Sequence, residues 1–349
     1  MSISRGAGRR PPVRASMRWA GAIAASMLLF ACTGAGQGGS PSASAGGEGA
    51  VAYPEKDISI MAPADPGGGW DSTARAMQTA LQSGVIEQSV EVYNRGGAGG
   101  TVGLAEFVET KKADPHQLMV MGLVMVGAIR TNDSPVDLSD VTPIASLTAE
   151  QEAIAVAADS EYQSFEDLLG AFKADPRSIS WAGGSNGGTD HILVGLIAKA
   201  AGVDPGDINY IAHAGGGEAK ALILSGGASA GVSGVSEFAE DVEAGQMRIL
   251  AVSGAEQVEG IDAPTISESG VDVVLDNWRG VMGPPDLSAE QRDAVVGMIT
   301  EMHDSQAWKD ALESNGWSDF FQTGDEFKTF VDAETTRIDG VLKEIGLVE

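Results

Sequence analysis

The chain has 349 residues, of which 43% are hydrophobic, which suits a globular protein with a substantial core and allows two domains. Its 22 basic and 49 acidic residues give a formal net charge of −27, which argues against a nucleic-acid partner, because nucleic acid needs a basic surface. An anionic small ligand remains allowed, since surface charges are screened over about 8–10 Å at physiological salt. The single cysteine, Cys32, excludes an intrachain disulfide.

The N-terminus has the layout of an export signal: five arginines and no acidic residue, then an apolar stretch over residues 19–31. It ends in Leu29-Phe30-Ala31-Cys32, which resembles the lipobox of bacterial lipoproteins. We predict a signal peptide at residues 1–31 and a lipid anchor on Cys32. The alternative is that Cys32 is an incidental residue of a cleaved signal peptide. The Gly-, Ser- and Ala-rich residues 32–52 are predicted to form a flexible tether to the membrane.

Residues 53–150 alternate strands, glycine-rich loops and helices, which predicts a parallel sheet with helices on its faces. In such sheets ligands bind beyond the carboxyl ends of the strands, where the glycine loops lie. The apolar run from Leu118 to Ile129 is too short to span a membrane and is interpreted as a buried strand with its exit loop. The predicted elements are, in order, strand 58–62, helix 72–82, strand 90–94, helix 102–112 and strand 118–121.

A second unit repeats the same plan. We predict that residues 53–150 and 276–349 form lobe 1 and that residues 151–275 form lobe 2. Residues 141–147 and 153–157 are predicted as two separate strands. Ser164 and Ser288 are predicted helix N-caps. The other predicted elements are strands at 179–182, 208–211 and 248–253, a short strand beginning at Val232, helices at 191–201, 288–304 and 306–314, a helix ending at Leu224, and a last helix at 323–345 that covers lobe 1.

Four glycine loops each precede a predicted helix, whose first turn offers unpaired N–H groups and the positive end of the helix dipole. This arrangement predicts anion binding, although a tight turn without a ligand has the same sequence pattern. Asp71 is either the N-cap of its helix or an acceptor for a ligand donor, and the cap is favoured. His191 is either a donor to an anion or a structural residue. The candidate ligand-binding residues are Gly67, Gly68, Gly69, Trp70, Asp71, Gly97, Ala98, Gly99, Gly100, Thr101, Ser185, Asn186, Thr189, His191, Gly215 and Gly216.

Other chemistries have weaker support. Gly183-x-Ser185-x-Gly187 matches the nucleophile elbow of hydrolases, but the later histidines lack a persuasive acidic partner. A secreted α/β hydrolase using Ser185 is therefore the alternative function, and Ser185 is favoured as a hydroxyl donor to a ligand. The phosphate-binding glycine motifs of nucleotide enzymes are absent from the sequence, and its four histidines lack a metal-ligand spacing. We predict no catalysis, no cofactor and no metal.

These residues resemble the TctC/Bug family, the extracytoplasmic solute receptors of tripartite tricarboxylate transporters. Residues 63–75 match the family pattern P-x-x-P-G-G-x-x-D-x-x-A-R, and residues 94–103 match N-x-x-G-A-G-G-x-x-G. Residues 185–191 match a third family loop loosely, and residues 278–281 resemble a later block. The resemblance implies a two-lobed periplasmic-binding-protein type II fold that closes on a small di- or tricarboxylate, or a related organic acid. It also implies a permease made of a large and a small membrane subunit.

The second lobe departs from the family pattern. Gly188 replaces the loop serine, so Thr189 or Ser185 must supply any hydroxyl group, and Ala230 replaces an acidic residue. The resemblance therefore implies a carboxylate ligand without identifying it. We expect a monomeric, lipid-anchored receptor; a receptor that reports its ligand to a signalling partner is the remaining alternative.

Overall fold

The computed structural model describes residues 53–213 and 215–349. The predicted signal peptide, Cys32 and the predicted tether lie outside these residues. Within the described part of the chain, no helix is long and apolar enough to cross a membrane.

Strands and helices alternate along most of the described chain. The strands are β1 (Ile58–Ala62), β2 (Val90–Asn94), β3 (Gln117–Gly122), β4 (Thr142–Ala157), β5 (Ser180–Gly183), β6 (Asn209–Ala212), β7 (Ala230–Gly234), β8 (Met247–Val252), β9 (Asp276–Gly283) and β10 (Ser318–Asp319). The helices are α1 (Gly69–Ala80), α2 (Thr101–Thr110), α3 (Leu123–Thr131), α4 (Phe165–Ala174), α5 (Thr189–Ala201), α6 (Gly216–Leu224), α7 (Val235–Glu243), α8 (Ala289–Asp304), α9 (Gln306–Asn315) and α10 (Gly324–Glu344).

The strands form a mixed sheet in the order β2-β1-β3-β9-β4-β7-β5-β6, with β8 and β10 also paired to β4. The pairs β1–β2, β1–β3, β5–β6 and β5–β7 are parallel, as predicted. Strand β9 is antiparallel to both β3 and β4, so it passes between the two parallel groups. This register carries Arg279 of β9 next to Gly122 at the carboxyl end of β3.

The two strands predicted at 141–147 and 153–157 are wrong as separate elements, because they are one 16-residue strand, β4. Its first part pairs with β9 and its last part with β7 and β8. Polar residues between or beside the two predicted segments, Thr148, Glu150 and Glu152, are all buried within the strand. A polar interruption in an apolar pattern usually marks a turn, but here it marks buried polar groups next to a cavity.

The exit loop predicted after β3 is also wrong, because β3 passes directly into helix α3. The helix has few polar residues to reveal its period, and its buried residues include Leu123, Val126 and Ala128. A helix that is buried on most sides lacks the amphipathic pattern by which helices are recognised in a sequence.

The local helix-start signals are confirmed. Ser164 and Ser288 are N-caps, and each accepts a hydrogen bond from the backbone N–H three residues later, completing capping boxes with Asp167 and Gln291. The last helix, α10, packs against β4 and α3, and also against α5 of the second parallel group. An ion pair between Lys199 and Glu344 accompanies that contact.

The apolar core lies between the sheet and the helices. Strand residues such as Ile58, Ile60 and Met119 are fully buried, as is Trp308 of α9. Burying one large apolar side chain contributes about 1.5–3 kcal/mol, so this core fixes the strand ends from which the glycine loops project.

Candidate ligand-binding site

A cavity of about 340 Å³ is formed by the loops that follow β1, β2, β5 and β6, together with residues of β7, β9, α3 and α7. Its size suits a small organic molecule. Predicted site residues that line it are Gly68, Gly69, Trp70, Gly97, Ala98, Gly99, Gly100, Ser185, Thr189, Gly215 and Gly216. The structure thus brings residues of all four glycine loops together around one space.

Five predicted site residues are not among those lining the cavity: Gly67, Asp71, Thr101, Asn186 and His191. Asn186 is exposed on its loop. The Thr101 hydroxyl donates to the carbonyl of Ala98 and so closes the turn before α2. Contact of any predicted residue with a ligand stays a prediction.

We call the first set of lining residues the arginine wall: Gly68, Gly69, Trp70, Gly96, Gly97, Ala98, Gly99, Gly100 and Arg279. Helix α1 begins here after Gly68, which gives no side-chain cap to the helix. Its first residue, Gly69, lies against Arg279, and a Cβ at Gly69 would stand 2.7 Å from Arg279 Nη2. Glycine permits this close approach, because a side chain here would push the guanidinium away from the N-terminus of α1.

The second loop of the arginine wall depends on its glycines for a different reason. Four successive residues have positive φ angles: Gly97 (130°), Ala98 (49°), Gly99 (61°) and Gly100 (90°). Residues with a side chain rarely adopt this conformation, so the glycines permit a path that would otherwise be strained. The loop ends at Gly100, the N-cap of α2, again without a side-chain cap.

Arg279 is the main cavity-lining residue that was not predicted from the sequence. Its side chain is 4% exposed, and its Nη2 donates to Glu150 Oε2 at 2.6 Å. Its Cζ atom lies 5.4 Å from the ring centroid of Trp317. Its Nη1 is buried and has no hydrogen-bond partner within the described residues. The sequence signals were the resemblance of residues 278–281 to a family block and an arginine inside a largely apolar strand, and neither placed Arg279 at the cavity.

Asp71 is not the N-cap of α1, so the favoured prediction is wrong. Gly68 occupies the cap position, and Asp71 lies in the first turn. Its Oδ2 accepts from the Gly67 N–H and from Arg75 Nε, both at 2.9 Å, and its Oδ1 accepts from Asn94 Nδ2 at 2.9 Å. Burial alone would raise the pKa of Asp71, but these hydrogen bonds bring it below its ordinary value. Asp71 therefore braces the first glycine loop against the end of β2.

We call the second set of lining residues the acidic wall: Gly184, Ser185, Gly188, Thr189, Asp190, Gly215, Gly216, Ser233, Gly234 and Glu237. Asp190 Oδ2 accepts from the Gly184 N–H at 2.6 Å, and Glu237 Oε2 accepts from the Ser233 hydroxyl at 2.9 Å. Burial, together with the charge of Glu237, raises the pKa of Asp190 to about 7. Burial also raises the pKa of Glu237 above its ordinary value.

Two further carboxyl groups of β4 lie close to these walls. Glu150 accepts from Arg279 and from the backbone N–H of Ser236, the latter at 3.0 Å. Glu152 is fully buried, and neither of its carboxyl oxygens has a hydrogen-bond partner within residues 53–213 and 215–349. Burial and the charges of Asp190 and Glu150 raise the pKa of Glu152 well above its ordinary value, which favours its protonated form.

His191 and Ser185 do not form a catalytic pair in this geometry. His191 Nδ1 accepts from the Gly187 N–H at 3.3 Å, and its ring stacks on Tyr210 with centroids 4.1 Å apart. Burial lowers the pKa of His191 to about 4, so the ring is neutral at neutral pH. Among the described residues, no hydrogen bond joins the Ser185 hydroxyl to a histidine. The same part of the chain contains no cluster of three or more residues suited to hold a metal ion.

Residues 73–347 match the family model described as the tripartite tricarboxylate transporter family receptor. Protein BugT of Bordetella pertussis is 27% identical over 300 residues, covering 84% of this chain and 90% of BugT. Proteins of this matched family are binding receptors, not enzymes.

Two solved structures from Rhodopseudomonas palustris share the fold. Rpa4515, solved with adipate, has a TM-score of 0.75 and 23% identity, covering 84% of this chain and 98% of its own. MatC, solved with bound malate, has a TM-score of 0.73 and 17% identity, covering 83% of this chain and 100% of its own. The two-lobed α/β fold class expected from the sequence is therefore confirmed; the predicted lobe boundaries stay a prediction.

Proposed function

Because the chain belongs to the tripartite tricarboxylate transporter receptor family, we propose that this solute-binding receptor captures a small carboxylate in its cavity and delivers it to a membrane permease. Three properties go beyond family membership: the ligand class, the anchoring of the receptor and the partner that takes the ligand.

One observation carries the ligand class: Arg279 lines the cavity beside the uncapped N-terminus of α1, and its Nη1 is buried without a partner in the described chain. A carboxylate fits these groups, because it accepts charge-assisted hydrogen bonds and favours the positive end of a helix dipole. The dipole contributes about 0.3–1 kcal/mol, and a hydrogen bond to a charged group about 1.5–3 kcal/mol. Malate in MatC and adipate in Rpa4515 are carboxylates in proteins of the same fold.

The ligand class is tested by calorimetry on the full-length protein, with malate, adipate, citrate and a panel of monocarboxylates and amino acids. Mass spectrometry of molecules that co-purify with the protein supplies further candidates. We expect at least one carboxylate to bind with a micromolar or lower Kd. Absence of binding across the panel, with no co-purified acid, would contradict the proposal.

The anchor is proposed to be a lipid on Cys32, which follows the predicted signal peptide and precedes the tether. Two acyl chains on this cysteine would hold the receptor stably at the membrane. We expect the wild-type protein in the membrane fraction and a Cys32→Ala variant in a soluble fraction. A membrane-bound Cys32→Ala variant would refute the lipid anchor.

The partner is proposed to be a permease with a large and a small membrane subunit. Uptake of the identified ligand should fall when either the receptor or a permease subunit is deleted. Cross-linking should recover the receptor with those subunits more strongly when ligand is present. Uptake that is unchanged by deletion of the receptor would argue against delivery and favour a sensing role.

A further inference from the structure

The acidic wall is not explained by a carboxylate ligand. The charged side chains that line the cavity are Asp65, Asp190, Glu237 and Arg279. Three of these are acidic, and the one arginine already shares its charge with Glu150. A di- or tricarboxylate would add two or three negative charges to a site that already has an excess of acidic groups, at an energetic cost that grows in a buried site.

The carboxyl groups of the acidic wall can also accept further hydrogen bonds. Glu237 receives a hydrogen bond from the Ser233 hydroxyl, and Asp190 receives hydrogen bonds from the Gly184 N–H and from its own backbone N–H. In its ionised form each carboxyl group offers about four acceptor positions and no donor, and a hydrogen-bond donor with a positive charge would favour this form over the protonated form that burial favours. Lys220, whose charge acts on Glu237, is already paired with Asp241 at 2.6 Å.

The arginine wall lacks the opposite kind of group, a hydrogen-bond acceptor. This observation is independent of the acidic wall. Arg279 is buried, lines the cavity and leaves Nη1 without a partner in the described residues. An unpaired buried donor costs about 1–3 kcal/mol, more when it is charged, unless a ligand acceptor or a water satisfies it. The arginine wall therefore lacks an anionic hydrogen-bond acceptor, and the acidic wall lacks a cationic hydrogen-bond donor.

We propose that the ligand is a zwitterionic amino acid, with its carboxylate on Arg279 and the N-terminus of α1 and its ammonium group on Asp190 and Glu237. The inference rests on the proposed function, because it presupposes a carboxylate in this cavity. An ammonium group offers three donors and one positive charge, which supply what the acidic wall lacks. The charge of the ammonium group offsets that of the α-carboxylate, so the acidic excess of the site repels the amino acid less than its deaminated counterpart.

The decisive experiment is calorimetry on the full-length protein with the twenty common L-amino acids. Each amino acid that binds is compared with its deaminated counterpart, for example aspartate with succinate or leucine with 4-methylpentanoate. We expect the amino acid to bind at least about tenfold more tightly, because the ammonium group contributes one or more charge-assisted hydrogen bonds. The Glu237→Gln and Asp190→Asn variants should lose most of this difference, and they should bind the deaminated acid more tightly than the wild type does, because each removes a negative charge from the cavity wall.

The matched control is Glu240→Gln, which removes the same charge from an exposed position of α7, the helix that carries Glu237. It should leave the preference for the amino acid unchanged. Equal or tighter binding of the deaminated acids, or binding of dicarboxylates but none of the amino acids, overturns the inference and leaves the proposed function standing. Absence of binding by every acid and amino acid overturns both.

Discussion

The arginine wall and the acidic wall share one backbone plan but differ in charge. In both, a strand runs into a glycine loop and then into a helix whose N-cap, Gly68 before α1 and Gly188 before α5, makes no side-chain cap. Arg279 approaches the first helix start, whereas Asp190 lies in the first turn of the second. Repeated helix N-termini therefore do not by themselves decide the sign of the ligand group; the side chains placed beside them do.

The largest expected effect comes from Arg279→Met, which removes the charge of the arginine wall. We expect ligand affinity to fall by about a hundredfold or more, because a charge-assisted pair and its dipole contribution are lost together. The free energy of unfolding should also fall by about 3–5 kcal/mol, since Glu150 is left buried without its partner. Calorimetry and urea unfolding measure the two quantities separately.

The double variant Arg279→Met/Glu150→Gln separates binding from stability. The introduced glutamine side chain would keep an acceptor for the Ser236 N–H but carry no charge. Most of the lost stability should return, while the affinity stays low. Wild-type affinity in either variant would mean that Arg279 does not contact the ligand.

A smaller effect is expected from Gly69→Ala, which tests the close approach of α1 to Arg279. The new Cβ would lie 2.7 Å from Nη2 and 3.0 Å from Cζ, so the guanidinium must move. We expect affinity to fall by about tenfold, the equivalent of about 1.4 kcal/mol. Calorimetry with the ligand of the wild-type protein measures the change.

Gly297→Ala is the control for that substitution. Gly297 is also in a helix, α8, and a Cβ there meets nothing within 4 Å. It should leave affinity unchanged and stabilise the protein by about 0.5–1 kcal/mol, as alanine does in a helix interior. If Gly69→Ala bound ligand as tightly as Gly297→Ala, the placement of Arg279 would not depend on the glycine.

The pH dependence of ligand affinity tests whether the ammonium group of the ligand lies at Asp190 of the acidic wall. With a pKa of about 7, Asp190 is partly protonated near neutral pH in the empty site. An ammonium group favours the ionised form, so amino-acid affinity should rise between pH 6 and pH 8, by about tenfold at most. The ionisable groups that interact electrostatically in this cluster around Asp190 are Glu150, Glu152, Asp190, Tyr210, Glu237 and Arg279.

A ligand that brings only negative charge should behave in the opposite way. It favours protonated Asp190, so its affinity should fall as the pH rises through 7. Calorimetry from pH 5.5 to 8.5 gives the sign, and Asp190→Asn should flatten the profile in either case. An amino-acid affinity that falls with rising pH would contradict the placement of the ammonium group at Asp190.

The glycine loops were predictable because their signal is local. A strand pattern, a run of glycines and a helix pattern follow one another within about twenty residues, and four repeats predicted a shared cavity. Arg279 was not predictable, because it lies more than two hundred residues from Gly69 in the chain and reaches it only through the register of β9 between β3 and β4. The same holds for Glu150, which lies between the two strands predicted in place of β4: its partners, Ser236 and Arg279, come from distant elements.

His191 gives the smallest expected effect. The sequence allowed His191 to donate to an anion, but its ring is neutral, stacks on Tyr210 and is not among the residues that line the cavity. His191→Phe keeps an aromatic ring against Tyr210 and removes only the acceptor for the Gly187 N–H. We expect affinity to change by less than about threefold, with a stability loss of about 1 kcal/mol for the missing hydrogen bond. A loss of affinity as large as that of Gly69→Ala would instead place His191 in contact with the ligand and extend the acidic wall to include a neutral donor.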